Sequence, residues 1–208
     1  MGTSHQILVT GGTGTLGQAI LARLQGTKCQ VRATSRSPPP TENIEWVRMG
    51  LKDGTGIREA ISDSDIVIHT ATSPRANTEA IDVDGTIRLI DAAADAEVSN
   101  FVYPSIVGIE ELPYSYYKHK LTAEHAIEAS DVPATLLRTT QFFPLIDEML
   151  GMISRLPIWP IPSRKNLQPI DIGVVADHIL EHATLSPHGR IEPIGGPEIR
   201  TAGELARE

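Results

Sequence analysis

The sequence predicts an α/β fold built on a doubly wound parallel sheet. Short apolar runs alternate with segments of helical periodicity, which is the pattern of βαβ units. The runs ILV, DIVIH and FVY are continuous stretches rather than alternating ones, as expected of parallel strands that are buried on both faces. A glycine-rich turn directly follows the first run. Together these observations favour an open sheet with helices on both sides.

The alternation places six strands and four helices along the chain. The strands are predicted at residues 6–10, 29–35, 44–49, 65–70, 100–105 and 134–139. The helices between them are predicted at residues 15–25, 56–62, 78–96 and 116–129. Residues 37–40, with three consecutive prolines, must form a connection because proline cannot join a central ladder.

The alternation of predicted strands and helices changes after Thr139. A helix-like stretch follows, with one apolar face formed by Leu145, Met149, Met152 and Leu156. Such a face usually packs in a core or against a subunit. The proline-studded residues 156–162 come next, and a further helix is predicted at residues 173–183. We expect a single domain over residues 1–208, in which about residues 142–208 form a small C-terminal cap.

Composition excludes several classes of protein. The formal net charge of -8 and the lack of a basic cluster argue against a nucleic-acid partner. The N-terminus lacks the pattern of a secretory signal, and no apolar run approaches the length of a membrane span. The single cysteine, Cys29, suits a reducing compartment and is expected to be a small core residue. We therefore expect a cytoplasmic protein without membrane or nucleic-acid partners.

The glycine-rich turn predicts a dinucleotide site. Gly11, Gly12 and Gly14 lie between the first strand and the first helix, and Gly17 lies one turn into that helix. This spacing lets the backbone approach a pyrophosphate, which the free amides at the helix N-terminus attract. A simple turn is the alternative, but the preceding buried strand favours the nucleotide. A P-loop is excluded because no Gly-Lys-Ser/Thr completes it.

The end of the second strand indicates which dinucleotide binds. An acidic residue there would hold the ribose 2′-hydroxyl of NAD(H), but the chain offers Ser35, Arg36 and Ser37. These groups suit a 2′-phosphate. NADP(H) is therefore favoured and NAD(H) remains possible, with Arg32 as a weaker second candidate for the phosphate contact.

A tyrosine and a lysine four residues apart suggest general acid catalysis. Tyr116 and Lys120 share a face of the predicted helix 116–129, so the ammonium is expected to lower the pKa of the phenol and make Tyr116 a general acid. Ser105, at the end of the preceding strand, is placed to hydrogen-bond the same substrate oxygen. Tyr114 and Tyr117 leave the choice of tyrosine open on spacing alone.

No metal site is predicted. His178 and His182 stand four residues apart, but no third ligand is evident from the sequence, and Asp177 and Glu181 indicate a solvated helix face.

Several motifs together resemble the atypical short-chain dehydrogenase/reductase superfamily, in its NmrA-like or NAD(P)H-binding branch. They cover nearly the whole chain and occur in the expected order: TGGTGTLG, SRSP, HTATSP, PSIVG, YYKHKLTAE, LRTTQFF and LQPIDIGVVADHI. The resemblance implies a Rossmann-type sheet ordered 3-2-1-4-5-6, or a seven-stranded extension, with the C-terminal cap on the substrate side. It also implies bound NADP(H) and, where active, a Ser-Tyr-Lys site.

The resemblance assigns further roles by position. The turn around Gly11 would contact the pyrophosphate through Thr13, Gly14, Thr15 and Leu16. Arg36 would lie at the 2′-phosphate and Leu51 near the adenine. Residues flanking the cofactor at the fourth strand would be Thr70, Ala71 and Thr72. Residues bordering the nicotinamide and substrate would be Gln141, Phe142 and Phe143.

Two departures from the family pattern stand out. Many relatives have Gly-Asp-Leu where this chain has Met49-Gly50-Leu51, so the carboxylate that often contacts adenine is absent, with Asp53 as a possible substitute. The final TAGELARE resembles the start of a helix that relatives continue, and a shortened or missing substrate lid is expected.

The leading hypothesis is an NADP(H)-dependent oxidoreductase that passes hydride to or from a small, apolar carbonyl or quinone. The alternative is a non-catalytic NADP(H)-sensing regulator, and a sugar-nucleotide epimerase or dehydratase ranks last because the short apolar cap offers little to a nucleotide sugar. The expected partner is a small-molecule substrate, and the chain is expected to be a monomer or homodimer.

Overall fold

The protein forms a seven-stranded parallel sheet with helices on both faces. The structure, a computed structural model, describes residues 5–40, 44–153 and 163–207. Its strands are β1 Gln6–Thr10, β2 Gln30–Ser35, β3 Glu45–Arg48, β4 Ile66–His69, β5 Asn100–Ile106, β6 Ala134–Thr139 and β8 Gly189–Arg190, while β7 belongs to the second sheet below. Their order in the sheet is β3-β2-β1-β4-β5-β6-β8, and each neighbouring pair is parallel. The doubly wound α/β fold is confirmed.

Within the described residues, six α-helices accompany the sheet and a small second sheet follows. The helices are α1 Thr15–Leu24, α2 Ile57–Ile61, α3 Asp84–Asp95, α4 Ser115–Glu128, α5 Phe143–Ile153 and α6 Ile172–Ala183. Near the C-terminus, β7 Asn166–Leu167 pairs antiparallel with β9 Arg200–Thr201, and the four-residue helix α7 Ala202–Leu205 follows. None of these described helices is long and apolar enough to cross a lipid bilayer.

The strands bury side chains on both faces, which explains their continuous apolar character. Leu8 faces the core cluster that also contains residues of α2, α3 and α4. Its neighbours Ile7 and Val9 face the opposite cluster, which contains residues of α1 and α6. Because successive side chains of a strand point to opposite faces, a sheet covered on both sides needs apolar residues throughout.

The sheet order creates a crevice between β1 and β4. The chain moves outward from β1 to β2 and β3, then returns to the other side of β1 for β4. Ligands of open α/β sheets bind outside the carboxyl ends of the strands at such a switch point. Thr10 and His69, the last residues of β1 and β4, are paired there.

The predicted elements differ from the structure at identifiable places. The helix predicted at 78–96 begins instead as a π-helix, Glu79–Val83, and continues as α3. Cys29 precedes β2 and is half-buried against the core. The predicted apolar face of α5 continues to Met149, Met152 and Leu156, which lie outside the described side chains, as do residues 156–162.

Candidate functional site

The turn after β1 admits no side chains at its key positions. Gly11 has φ +66°, and a Cβ there would lie 2.7 Å from the Cα of Ala71, at the end of β4. A Cβ at Gly17 would collide with the carbonyl oxygen of Gly11. The close approach of β1, β4 and α1 therefore requires these glycines, as the sequence predicts.

The N-terminus of α1 presents uncapped backbone amides. Gly14 is the N-cap and offers no side chain to the helix. The first intrahelical donor is Gln18, which bonds Gly14 at 2.9 Å, so the amides of Thr15, Leu16 and Gly17 precede it. Free amides and the helix dipole together attract an anion. The glycine turn thus fits the pyrophosphate of a dinucleotide.

The groups predicted to bind a 2′-phosphate lie beside this turn. The amide of Gly12 donates to the carbonyl of Thr34 at 3.0 Å, and the hydroxyls of Thr13 and Ser35 are 3.3 Å apart. Arg36 follows at the end of β2 and is exposed. By contrast Arg32, the weaker candidate, bonds Glu45 at 2.8 Å and the carbonyl of Ser62 at 2.6 Å, so its guanidinium is already engaged.

The predicted adenine contacts have other partners. Leu51 is buried in the core, and the carbonyl oxygen of Leu51 accepts a hydrogen bond from Arg88 at 3.1 Å. The Asp53 carboxylate accepts from the amide of Thr55 at 3.0 Å, and hydrogen bonds from Thr55 lower the pKa of that carboxyl. Asp53 therefore stabilises its own turn, and adenine binding near Leu51 stays a prediction.

The segment after β4 is fastened to the end of β1. The hydroxyl of Thr70 donates to the carbonyl of Thr10 at 2.6 Å, and the amide of Ala71 donates to the Thr10 hydroxyl at 3.3 Å. Since Ala71 also lies against Gly11, Thr70 and Ala71 stand next to the glycine turn. The role that the resemblance implies for residues 70–72, flanking the cofactor, stays a prediction.

Tyr116 reaches the same edge from the first turn of α4. Its hydroxyl lies 3.1 Å from the hydroxyl of Thr72, and Thr72 in turn makes a short hydrogen bond to the carboxylate of Asp82. Burial raises the pKa of Tyr116 to about 12, so the phenol keeps its proton at neutral pH. The expectation that Lys120 lowers this pKa is wrong in this structure.

Lys120 is directed at β5 instead of at the phenol. The side chain is buried; its ammonium donates to the carbonyl of Pro104 at 3.1 Å and lies 3.9 Å from the centre of the Tyr103 ring. Burial lowers the pKa of Lys120 to about 8, against the opposing charges of Asp82 and Glu124. The ammonium is thus mostly charged at neutral pH but has no direct role at the Tyr116 oxygen here.

The hydroxyl of Ser105 makes no hydrogen bond to Tyr116 within the described part of the chain. The residue is 3% exposed and its hydroxyl faces Glu124, which is fully buried in an ion pair with Arg138. Burial raises the pKa of Glu124, but the Arg138 hydrogen bonds outweigh it and hold the pKa below its usual value. The predicted triad is therefore not assembled around one point, and the role of Ser105 stays a prediction.

The residues predicted on the substrate side follow β6 at the same edge. The carbonyl of Gln141 accepts from the amide of Ile170 at 2.9 Å, which anchors the segment to the chain before α6. Phe142 packs against the core, whereas Phe143 is exposed. Of the two rings, Phe143 is the one available to a ligand.

Asp82 is the site residue that the sequence analysis missed. It is buried, and its second carboxylate oxygen accepts from the amide of Ser73 at 3.0 Å. A signal existed in the sequence: Asp82 shares a helical face with Thr86 and Leu89, both buried, so an acidic residue stands on an apolar face.

A parallel sheet with a side-chain-free turn and an uncapped helix at its switch point defines a dinucleotide-binding α/β protein. The sequence profile of the NAD(P)H-binding family matches residues 11–144. The chain belongs to this family, within the atypical short-chain dehydrogenase/reductase superfamily that its motifs resemble.

Individual curated proteins resemble the chain at low sequence identity. Photosystem II assembly factor Ycf39 of Cyanophora paradoxa is 26% identical over 96% of this chain and 66% of its own length. A 3-beta-hydroxysteroid dehydrogenase of Mycolicibacterium neoaurum is 26% identical over 60% of this chain and 41% of its own length. The chain spans 12% of the first mycobacterial relatives and 51% of the Ycf39 protein of Trieres chinensis.

Solved structures share the fold. A short-chain dehydrogenase/reductase superfamily protein from Agrobacterium tumefaciens with bound NAD has a TM-score of 0.79 at 22% identity, covering 98% of this chain and 81% of that one. The Bordetella bronchiseptica enzyme WbmG in complex with NAD and UDP has a TM-score of 0.77 at 18% identity, covering 99% and 77%.

Proposed function

We propose that the protein is an NADP(H)-dependent oxidoreductase that acts on a small, apolar carbonyl or quinone, with Tyr116 as the proton donor. The observation that carries the proposal is the contact between the Tyr116 and Thr72 hydroxyls at the edge that holds the glycine turn. The exposed Phe143 and Leu145 beside this edge favour an apolar substrate. We further propose a cytoplasmic monomer or homodimer, which suits the single cysteine.

The bound dinucleotide supplies or accepts the hydride, and side chains of the protein supply or accept the proton. Tyr116 is neutral because burial raises its pKa to about 12, so it holds a proton to give. In carbonyl reduction that proton moves from the phenol oxygen to the substrate oxygen. Thr72 and Asp82 hold the phenol oxygen in place beforehand. The O–H, which donates to Thr72 in the free protein, turns to the substrate oxygen when the carbonyl binds.

Replacing Tyr116→Phe removes the proton donor and keeps the ring. We expect kcat for NADPH oxidation, followed by absorbance against a panel of quinones, aldehydes and ketones, to fall about 10²- to 10⁴-fold. NADPH affinity should change little. Tyr117→Phe, whose ring packs against Tyr116, is the matched control and should retain turnover. Full turnover in Tyr116→Phe would remove the assignment.

The proposed preference for NADP(H) rests on Arg36. Arg36 is exposed and directly follows Ser35, whose hydroxyl contacts Thr13 of the glycine turn. A guanidinium matches a 2′-phosphate, which NADH lacks. Arg36→Ala should weaken NADPH binding about tenfold or more and leave NADH binding nearly unchanged, as measured by calorimetry. The engaged Arg32 provides a contrast, since Arg32→Ala should affect both nucleotides alike. Equal losses in Arg36→Ala would refute the preference.

A second candidate function is an NADP(H)-sensing regulator without turnover. The burial of Ser105 and the engagement of Lys120 with Pro104 favour it, because two of the three expected catalytic groups do not meet the Tyr116 phenol. Tight NADPH binding by the wild-type protein without oxidation of any substrate in the panel would support this function over the oxidoreductase.

A further inference from the structure

Three histidines and a glutamate gather at the opposite edge of the molecule from the glycine turn. His178 and His182 lie one turn apart near the end of α6, with ring centres 4.7 Å apart. The Asn100 side chain, at the start of β5, donates to the carbonyl of His182 at 3.1 Å. The cluster therefore lies at the amino-terminal edge of the sheet, and the proposed oxidoreductase mechanism makes no use of it.

The structure supplies the third ligand that the sequence did not reveal. Glu181 stands between the two histidines in the sequence, and a carboxylate oxygen of Glu181 lies 3.8 Å from Nδ1 of His178. One donor atom from each of His178, Glu181 and His182 falls within 4.8 Å of the others. His188, just before β8, presents its ring edge-on 6.5 Å from that of His182.

One histidine nitrogen in the cluster has an uncommitted lone pair or proton. Nδ1 of His182 is buried, and among the described residues it finds no hydrogen-bond partner. A buried polar atom without a partner is costly, and an ion coordinated through Nδ1 would give this atom the partner that it lacks. The cluster also stands at the C-terminus of α6, where the helix dipole favours a cation.

The donor set identifies the chemical class of the ion. Two imidazoles and a carboxylate suit Zn²⁺ and neighbouring divalent transition metals, whereas Ca²⁺ and Mg²⁺ prefer oxygen ligands alone. Ligand atoms around tetrahedral zinc stand about 3.3 Å apart, given bonds of roughly 2.0–2.1 Å. Glu181 is exposed and His178 half-buried, so rotation of these side chains can close the remaining gap.

We infer that His178, Glu181 and His182 form a binding site for a transition-metal ion of the Zn²⁺ type, with His188 as the fourth ligand. Bound there, the ion would join the last turn of α6 to the segment that leads into β8. It would stabilise the edge of the sheet without touching the nucleotide.

The test uses tag-free protein stripped with a chelator and titrated with Zn²⁺, and with Co²⁺ as a spectroscopic probe. We expect one equivalent to bind, with a four-coordinate Co²⁺ spectrum and a higher Tm in Zn²⁺. His178→Ala and His182→Asn should each weaken binding about tenfold or more, since each removes a ligand. His125→Ala, an exposed histidine in the last turn of α4, is the matched control and should bind as wild type.

Each outcome of these measurements bears directly on the metal site. Absence of stoichiometric binding, or equal weakening by His125→Ala, would overturn the site. If His182→Asn fails to fold, as judged by circular dichroism, His178→Ala alone decides the question. NADPH affinity should be the same with and without Zn²⁺, so failure of the metal site leaves the proposed oxidoreductase function untouched, and the reverse also holds.

Discussion

The Tyr116 phenol is held by two successive hydrogen bonds that end on the buried carboxylate of Asp82. Thr72 donates its proton to the carboxylate of Asp82, so the Thr72 oxygen must accept from Tyr116. Asp82 also accepts the amide of Ser73, which fixes the segment carrying Thr72. This arrangement orients the phenol through Thr72, whereas the sequence led us to expect Ser105 beside the substrate oxygen.

Replacing Asp82→Asn should disturb this chain while preserving its shape. The amide nitrogen cannot accept, so either the Thr72 hydroxyl or the Ser73 amide loses its acceptor. Because a buried group left unsatisfied costs about 1–3 kcal/mol, we expect the free energy of unfolding to fall by that amount. We also expect kcat to fall about tenfold, because the phenol is no longer fixed. Denaturant unfolding and NADPH oxidation measure the two effects.

A neighbouring residue provides the control for this change. Asp84 begins α3 and is exposed, so Asp84→Asn removes the same charge from the same helical segment without breaking the Thr72 contact. If the two variants unfold and turn over alike, Asp82 has no positioning role.

At the scale of elements, the glycine turn was predictable because everything that defines it is local. Four glycines at fixed spacing after a buried strand specify a turn with a close backbone approach. The structure confirms it through the positive φ of Gly11 and the collision that a side chain at Gly17 would cause. The apolar strands could also be predicted from the sequence, because strands that are buried on both faces are continuously apolar.

The placement of Ser105 and Asp82 depends on contacts that local spacing does not contain. Ser105 lies two residues after Tyr103, so strand alternation turns it toward α4 and Glu124. Asp82 lies in the π-helix before α3, where the amide of Asp84 bonds the carbonyl of Glu79 five residues earlier. Asp82 contacts Thr72 across the loop that precedes the π-helix, and the periodicity of a helix does not predict such a contact.

At the scale of the whole molecule, one buried histidine joins β1, β4 and α3. Thr10 donates to Nδ1 of His69 at 2.7 Å, and Nε2 lies 3.1 Å from the Thr86 hydroxyl. Thr86 donates its own proton to the carbonyl of Asp82 at 2.8 Å, so it must accept from Nε2. His69 is therefore neutral with its proton on Nε2, and the network ends at the residue that positions Tyr116.

This network makes the stability of the protein depend on pH. Burial, with a smaller contribution from Lys120, lowers the pKa of His69 from 6.5 to about 3. Between these values the unfolded chain binds a proton that the native protein does not, so the free energy of unfolding rises with pH. The stabilisation is complete above pH 6.5, and about 2 kcal/mol of it should be lost at pH 5.

Urea unfolding at pH 7 and pH 5 isolates this effect by comparison with His69→Asn, which offers a donor and an acceptor but does not titrate. The variant should be less stable than wild type at pH 7, yet should lose about 2 kcal/mol less between the two pH values. The carboxylates titrate alike in wild type and variant and cancel in this comparison, and His125→Asn, at an exposed histidine, is the matched control for a histidine-to-asparagine change. An identical loss in wild type and His69→Asn would mean that His69 carries a proton in the native protein, and the tautomer that links it to Asp82 would then be wrong.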